Sequence, residues 1–156
     1  MQDMTTIQPR MPHVATLVPD AMKAMYALSR SADGALPETT KFMVQLRASQ
    51  INGCSFCAEM HSRELEEAGE DSRRIWTVAA WREAPYFTDA ERAALELTEA
   101  LTRIADRPDP VSDEVWEQAA EHYDEPALAA LLIEIAAINV WNRFNVAVRT
   151  PAGSWG

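Results

Sequence analysis

The chain has 156 residues, 47% of them hydrophobic and 24% charged, which is the composition of a globular protein rather than a disordered one. Its net charge of −10 argues against nucleic acid and anionic membrane surfaces as partners, because both attract basic proteins. This length is sufficient for a hydrophobic core. We therefore predict one domain over residues 1–156 that binds neither nucleic acid nor a membrane.

The first 19 residues carry three prolines and no hydrophobic period, so we predict an extended N-terminal arm over residues 1–19. The chain does not begin with the basic start and apolar run of a signal peptide. No stretch approaches the roughly 18 apolar residues of a membrane span. Its two cysteines are too few for a secreted disulfide framework. These features together favour the cytoplasm.

Apolar residues spaced three and four apart predict an all-α fold of about seven helices. Capping signals mark several helix ends: Gly69 follows the third helix, and Thr88 with Glu91 has capping-box spacing before the fifth. The last helix is apolar nearly all round, which is typical of a helix in a core or a subunit interface. The predicted helices cover approximately residues 20–31, 37–52, 54–68, 71–81, 89–105, 112–119 and 127–148.

Several polar and aromatic residues are given structural interpretations. Glu134 interrupts the apolar last helix, and we predict that it faces solvent or an interface edge, because burying a carboxylate is costly. The charged run at residues 63–67 is predicted to be a solvated helix face. The five tryptophans are interpreted as core or interface packing. His122 is interpreted as a helix-end cation, and His13 is assigned no role.

The residues suited to chemistry are concentrated at positions 45–61, QLRASQINGCSFCAEMH, which hold both cysteines and one of three histidines. Asn52-Gly53 predicts the end of one helix, after which a new helix begins at Cys54. The side chains of Cys54, Cys57 and His61 then share one helix face. A thiol in the first turn experiences the positive end of the helix dipole, which favours the thiolate. The spacing therefore indicates a dithiol with His61 as a base one turn deeper.

A Cys-x-x-Cys pair has three common meanings: a redox dithiol, half of a zinc site, or an inert pair. Zinc usually takes four ligands, whereas Cys54, Cys57 and His61 supply three, and an acidic side chain would have to be the fourth. We favour the redox dithiol, with no metal and no cofactor. A metal-binding module and a non-catalytic protein stay as alternatives.

The run at residues 46–62, LRASQINGCSFCAEMHS, resembles the core motif of the alkylhydroperoxidase D-like (AhpD-like), carboxymuconolactone decarboxylase superfamily. A second stretch at residues 138–145, INVWNRFN, matches as well. With the chain length and helix pattern, the resemblance covers most of the protein. It implies an all-α AhpD-like fold with the CxxC motif at the N-terminus of a central helix. It also implies a homo-oligomer, either a trimer or a hexamer.

The resemblance implies a thiol-dependent peroxidase that reduces alkyl hydroperoxides. In the peroxidase branch the second cysteine attacks the peroxide and the first resolves the sulfenic acid, so Cys57 would be peroxidatic and Cys54 resolving. His61 matches the family's histidine. A dithiol reductant, such as a lipoyl or thioredoxin-like protein, would then reduce the disulfide. Thiol–disulfide exchange is an alternative, whereas lactone decarboxylation fits less well because true decarboxylases of the superfamily lack the cysteine pair.

Two positions depart from the peroxidase pattern. Phe42 stands where the peroxidase has a proton-relay glutamate, and Phe56 stands where it has a histidine. Glu38, one turn before Phe42, could reach toward the same site, whereas Glu59 lies off the Cys57 face. The relay is therefore incomplete as carried over, and His61 would be the main base for Cys57.

Overall fold

The structure, a computed structural model, describes residues 5–154, and its regular secondary structure is entirely helical in this range. The prediction of an all-α fold is therefore confirmed. The described residues form eight α-helices and one 3₁₀ helix, so there is one α-helix more than predicted. The helices are α1 (Val14–Leu17), α2 (Pro19–Ser31), α3 (Glu38–Asn52), α4 (Ser55–Glu67), α5 (Ser72–Thr77), the 3₁₀ helix Val78–Ala80, α6 (Asp89–Thr102), α7 (Asp113–His122) and α8 (Glu125–Val148).

The N-terminal segment differs from the predicted extended arm, of which residues 1–4 lie outside the described range. Residues 5–13 have no regular structure, but α1 and the beginning of α2 make most of residues 14–19 helical. A four-residue helix is too short to show a hydrophobic period in the sequence. Arg10 fastens the segment to the end of α8: its backbone N–H donates to the Val148 carbonyl at 2.8 Å, and its guanidinium donates to the Ala147 carbonyl at 3.3 Å.

Helix α8 is the central helix of the fold. It contacts α2, α3, α4, α6 and α7, and one of its faces contributes to the largest apolar cluster with α3, α6 and α7. By length and composition alone α8 could cross a membrane, but half of that apolar window is buried inside the fold. Its position explains why the sequence is apolar nearly all round, since a helix covered on several sides has no wide solvent face.

The junction between α3 and α4 has the predicted break at Asn52-Gly53. Gly53 ends α3 in the left-handed conformation, with φ of 69°, which glycine adopts without the penalty that a Cβ brings. The Gly53 N–H donates to the Gln50 carbonyl at 3.3 Å, and the Cys54 N–H donates to the Ser49 carbonyl at 3.0 Å. This pair of hydrogen bonds is a Schellman motif. It terminates one helix and places Cys54 where the next begins.

Buried amides join α3 to α8. The Asn52 Nδ2 donates to the Asn139 Oδ1 at 3.0 Å and to the Asn142 Oδ1 at 2.9 Å. In turn, the Asn142 Nδ2 donates to the Ser49 Oγ at 3.0 Å, and the Asn139 Nδ2 donates to the Thr102 Oγ1 of α6 at 3.1 Å. The two motif stretches of the sequence therefore meet in space, and their amides hold α3 and α8 in one register.

We expect Asn142→Ala to lower the free energy of unfolding by about 2 kcal/mol, because it leaves Asn52 and Ser49 each short of a hydrogen-bond partner in a buried site. Urea denaturation followed by circular dichroism measures this. Gln118→Ala is the matched control, since Gln118 is exposed on α7 and should change the stability by less than about 0.5 kcal/mol. Equal stabilities for the two variants would contradict the structural role of the amides.

Candidate functional site

Cys54 and Cys57 are joined as a disulfide, with their Cα atoms 5.3 Å apart. This separation lies within the ordinary range for disulfides, so the backbone at the α3–α4 junction already suits the bond. Both residues are buried, with exposed fractions of 3% for Cys54 and 1% for Cys57. The predicted dithiol is therefore brought together by the fold.

Cys54 is the N-cap of α4 rather than its first helical residue. Its Sγ accepts the backbone N–H of Cys57 at 3.2 Å, which is the hydrogen bond that a serine or aspartate side chain makes at other helix starts. Both sulfurs lie within one turn of the positive end of the α4 dipole. Once the disulfide is reduced, this position favours the thiolate form of either cysteine.

Cys57 lies in an apolar cluster with one polar neighbour on α8. Ala48, Ile138 and the two cysteines form the cluster, and Phe56 and Trp141 pack against it. The Asn145 Nδ2 lies 3.5 Å from the Cys57 Sγ and 3.0 Å from the Trp141 carbonyl, and donates to both. Sequence analysis gave Asn145 no role, although it is the last residue of the second motif stretch.

A cavity of about 250 Å³ opens beside Cys54. Cys54 is the sulfur that lines it, whereas Cys57 lies behind the lining. Two distant parts of the chain meet here: Ile7 comes from the N-terminal segment, and the turn after α8 supplies the positively charged Arg149. The cavity is lined by Ile7, Gly53, Cys54, Ser55, Asn145, Val146, Arg149, Thr150 and Pro151.

His61 is buried on the inner face of α4, four residues after Cys57. Its Nδ1 lies 2.7 Å from the Glu64 Oε2, so the carboxylate accepts a proton held on Nδ1. In the neutral ring this leaves the lone pair on Nε2, the atom that can act as a base. Nε2 is buried and has no hydrogen-bond partner among the described residues. Neither ring nitrogen bonds a sulfur in this disulfide form within residues 5–154.

The prediction of a solvated helix face at residues 63–67 is wrong for Glu64. Glu64 is half-buried and pairs with His61, whereas Arg63, Glu66 and Glu67 are exposed as predicted. The spacing of three between His61 and Glu64 indicates this contact, because residues three apart on a helix are neighbours. The sequence did not single out Glu64, because Glu66 and Glu67 beside it are acidic as well.

Glu134 is fully buried, so the prediction that it faces solvent is wrong. Its Oε2 accepts a hydrogen bond from the Gln45 Nε2 at 3.0 Å, and the Lys41 Nζ lies 3.7 Å from its Oε1. Burial raises the pKa of Glu134 above its ordinary value of 4.5, and the nearby Lys41 charge only partly opposes this. The sequence could not show the pairing, because α3 supplies both partners from far along the chain.

Phe42 and Glu38 lie together along a second cavity, of about 470 Å³, in whose lining neither cysteine takes part. Phe42 also packs against the apolar cluster that includes Met43 and Leu65. Glu38 is therefore placed beside Phe42 and away from the disulfide cavity. Glu134 is the buried carboxylate at this second cavity.

Arg47, a charged residue of the first motif stretch, anchors α3 to α6 through Glu99. The Arg47 Nε donates to the Glu99 Oε1 at 2.8 Å, and the Trp81 Nε1 donates to the same oxygen at 3.0 Å. Arg82 donates to the second oxygen at 2.6 Å. Burial raises the pKa of Glu99, but these hydrogen bonds outweigh it, so its pKa lies below 4.5. Arg47 is therefore engaged in an ion pair that holds helices together.

The three candidate metal ligands do not form a ligand set. Cys54 and Cys57 bond each other, and the Nδ1 of His61 faces Glu64. Within residues 5–154, no group of three or more histidine, cysteine, aspartate or glutamate side chains is placed to hold a metal ion.

A helical domain whose CxxC disulfide begins a helix beside a central α8 defines the AhpD-like class of proteins. The family model of the carboxymuconolactone decarboxylase family matches residues 18–100. The uncharacterized protein YdfG of Bacillus subtilis is 36% identical over 139 residues, covering 88% of this chain and 93% of YdfG. The chain belongs to the carboxymuconolactone decarboxylase family.

Two solved structures show how far the similarity extends. Protein ATU0492 of Agrobacterium tumefaciens, of unknown function and suggested to be the antioxidant defence protein AhpD, has a TM-score of 0.86 and 34% identity. The match covers 93% of this chain and 98% of that one. The debrominase Bmp8 has a TM-score of 0.79 at 22% identity, over 89% of this chain and 74% of its own, which is a likeness of fold alone.

The buried Glu134 makes the stability depend on pH. Because its folded pKa is raised, the folded protein keeps a proton that the unfolded chain loses near pH 4.5. The free energy of unfolding should therefore fall as the pH rises from the ordinary pKa through the folded one. We expect Glu134→Gln to remove this fall, measured by urea denaturation at a series of pH values. Glu121→Gln, at an exposed site, is the control, and an unchanged slope in Glu134→Gln would contradict the assignment.

Proposed function

We propose that this protein is a thiol-dependent, peroxidase-like oxidoreductase that reduces alkyl hydroperoxides through Cys54 and Cys57. The observation that carries the proposal is the disulfide at the N-terminus of α4, whose Cys54 lines a cavity. Membership of the family and the similarity to ATU0492 support it.

The first step is attack of the Cys57 thiolate on the outer peroxide oxygen. A sulfur–oxygen bond forms and the oxygen–oxygen bond breaks, giving a sulfenic acid and an alkoxide that takes up a proton to become the alcohol. The α4 N-terminus and the Asn145 Nδ2 both present positive charge to Cys57. These contacts favour the thiolate that the reaction requires.

The second step is attack of the Cys54 thiolate on the Cys57 sulfenic acid. The disulfide forms and hydroxide leaves, to be protonated to water. The Cα separation of 5.3 Å allows this bond with the backbone already in place. In the third step an external dithiol attacks Cys54 from the cavity, is itself oxidised to a disulfide, and restores both thiols.

The dithiol reductant approaches through the cavity at Cys54. Ile7, Val146 and Pro151 give this cavity apolar walls, which suit the aliphatic arm of a lipoyl group. A thioredoxin-like protein is the other dithiol of suitable chemistry, and it would have to bring its own cysteine to the cavity mouth. We place the reaction in the cytoplasm, where such reductants keep thiols reduced.

His61 is the base in this proposal. Glu64 accepts the proton on its Nδ1, which orients the ring and leaves the Nε2 lone pair free for the Cys57 thiol proton. In the peroxidases that the chain resembles, a glutamate at the position of Phe42 belongs to the proton relay. Phe42 has no carboxylate, so in this proposal His61 and Glu64 take over that role. Both residues lie on α4, His61 one turn and Glu64 two turns beyond Cys57.

Thiol–disulfide exchange is a second candidate function, and one observation favours it. Cys54 lines the cavity, whereas Cys57 is 1% exposed and does not line it. A disulfide or dithiol that enters the cavity would therefore meet Cys54 first. In this case the pair would pass electrons between thiol partners without peroxide.

Peroxide-dependent turnover with a dithiol reductant tests the two functions. We expect Cys57→Ser to abolish turnover, and Cys54→Ser to form one sulfenic acid per chain without turning over. His61→Ala should slow peroxide consumption by about 10²–10⁴-fold, which is the usual contribution of general-base catalysis. Phe42→Glu should raise the rate if a carboxylate there strengthens the relay. His122→Ala, an exposed histidine at the end of α7, is the matched control.

The wild-type protein decides between the candidates. Turnover of an alkyl hydroperoxide with dihydrolipoamide or reduced thioredoxin supports the peroxidase. If the disulfide exchanges with these dithiols but no alkyl hydroperoxide is consumed, the peroxidase proposal fails and disulfide exchange becomes the function.

We also propose a homo-oligomer, a trimer or a hexamer. No residue of α2 is buried, and Tyr26 and Leu28 on this helix, with Leu17 and Val18 before it, are exposed. Trp76 is 76% exposed, so packing within one chain does not account for it. Such surface favours contact with another copy. The last helix, which was expected in a core or in a subunit interface, takes the first of these places and lies in the chain's own core.

Light scattering should give a particle mass that is a multiple of the 17.4 kDa chain. Leu28→Glu should shift the particle toward a monomer, because it places a charge on the exposed face of α2. Glu121→Gln, on the exposed side of α7, should leave the mass unchanged. A wild-type monomer at micromolar concentration would contradict the proposed assembly.

A further inference from the structure

The N-terminal segment reaches the dithiol site through His13. The His13 Nε2 lies 3.1 Å from the Oδ1 of Asn145, the residue whose amide nitrogen contacts Cys57. On the other side of the ring, the His13 Nδ1 accepts the backbone N–H of Ala15 at 3.1 Å. His13 therefore links the beginning of α1 to the buried Asn145 beside Cys57.

These two hydrogen bonds determine the tautomer of His13. A backbone N–H can only donate, so Nδ1 must offer its lone pair, and the proton of the neutral ring is on Nε2. Nε2–H then donates to the Asn145 Oδ1. This bond and the bond to the Trp141 carbonyl, which can only accept, together fix which way the amide faces: its oxygen faces His13, and its nitrogen faces Cys57 and the Trp141 carbonyl.

His13 is held in place by the folded arm. Arg10 makes two hydrogen bonds to the carbonyls at the end of α8, and the His13 ring lies 6.3 Å from that of Trp141. On its outer side His13 lines a separate cavity of about 450 Å³. The ring is half-buried, and the segment that carries it is bound to the helix that carries Asn145.

We propose that His13 is a positioning residue of the dithiol site, which holds the Asn145 amide as a hydrogen-bond donor to the Cys57 Sγ and thereby stabilises the Cys57 thiolate. The amide nitrogen is 3.5 Å from the sulfur in the disulfide, and a thiolate is the better acceptor. The Trp141 carbonyl holds the nitrogen side of the amide, and within residues 5–154 His13 is the hydrogen-bond partner of its Oδ1, so loss of His13 leaves the amide held from one side. The inference rests on the proposed function only in that Cys57 acts as a thiolate.

The thiolate can be measured without peroxide. In a Cys54→Ser background Cys57 is the single thiol, and a serine at position 54 is itself a favoured N-cap for α4. The rate of alkylation by iodoacetamide, measured against pH, gives the pKa of Cys57. We expect His13→Ala to raise that midpoint by about one unit, because a hydrogen bond to the charged form is weakened. Below the midpoint the thiolate becomes about tenfold scarcer, but each thiolate is about threefold more nucleophilic. Alkylation should therefore slow by about threefold.

Two further variants test whether His13 acts by positioning the Asn145 amide or whether its loss merely loosens the N-terminal segment. His13→Gln keeps an N–H donor near the place of Nε2 and should restore the midpoint. In an Asn145→Ala background, His13→Ala should produce no further shift, because the amide that it orients is gone. His122→Ala should leave the midpoint unchanged, and circular dichroism confirms that each variant is folded.

An unchanged midpoint in folded His13→Ala would overturn the proposal. So would a full shift that persists in the Asn145→Ala background, since His13 would then act by another route. The peroxidase proposal can fail separately: a shifted midpoint without peroxide turnover would remove that function and leave the role of His13 intact.

Discussion

The buried amide bonds between α3 and α8 are the constraint on which the site depends. Asn52 donates to both Asn139 and Asn142, and a slip of either helix would leave these groups unpaired away from water. Because Asn52 is the last residue of α3, the same bonds fix the position of Gly53 and thus the start of α4. Asn145 is one turn beyond Asn142, so the register that satisfies the amides also brings Asn145 to Cys57.

The start of α4 places its two sulfurs in different surroundings. Both cysteines pack with Ala48 and Ile138, but Cys54 is the N-cap of the helix and lines a cavity, whereas Cys57 lies inside the first turn and contacts the Asn145 amide. The two bonded sulfurs therefore have different partners: one faces the cavity and the other accepts from the amide of Asn145. This asymmetry suits a pair in which one cysteine exchanges with an outside thiol and the other is held ready as a thiolate.

Local signals predicted the helices well, because caps and breaks act within a few residues. Thr88 and Glu91 form the predicted capping box, and Gly53 ends α3 as predicted. Contacts between distant parts of the chain could not be predicted. Glu134 looked exposed because its partners, Lys41 and Gln45, lie on another helix. His13 was given no role for the same reason, since its partner Asn145 is near the other end of the chain.

In the proposed mechanism, the acid–base groups lie elsewhere than the relay position that the family resemblance implies at Phe42. A carboxylate at position 42 would lie on α3, but there the phenylalanine packs into the apolar cluster with Met43 and Leu65. The carboxylate beside His61 comes instead from Glu64 on α4 itself, at a spacing that one helix maintains without help from its neighbours. A histidine and its acid on one helix move together with Cys57. The catalytic proposal therefore depends on the geometry of α4 alone for its base, whereas the thiolate depends on the α4 N-terminus together with α8 and the N-terminal segment.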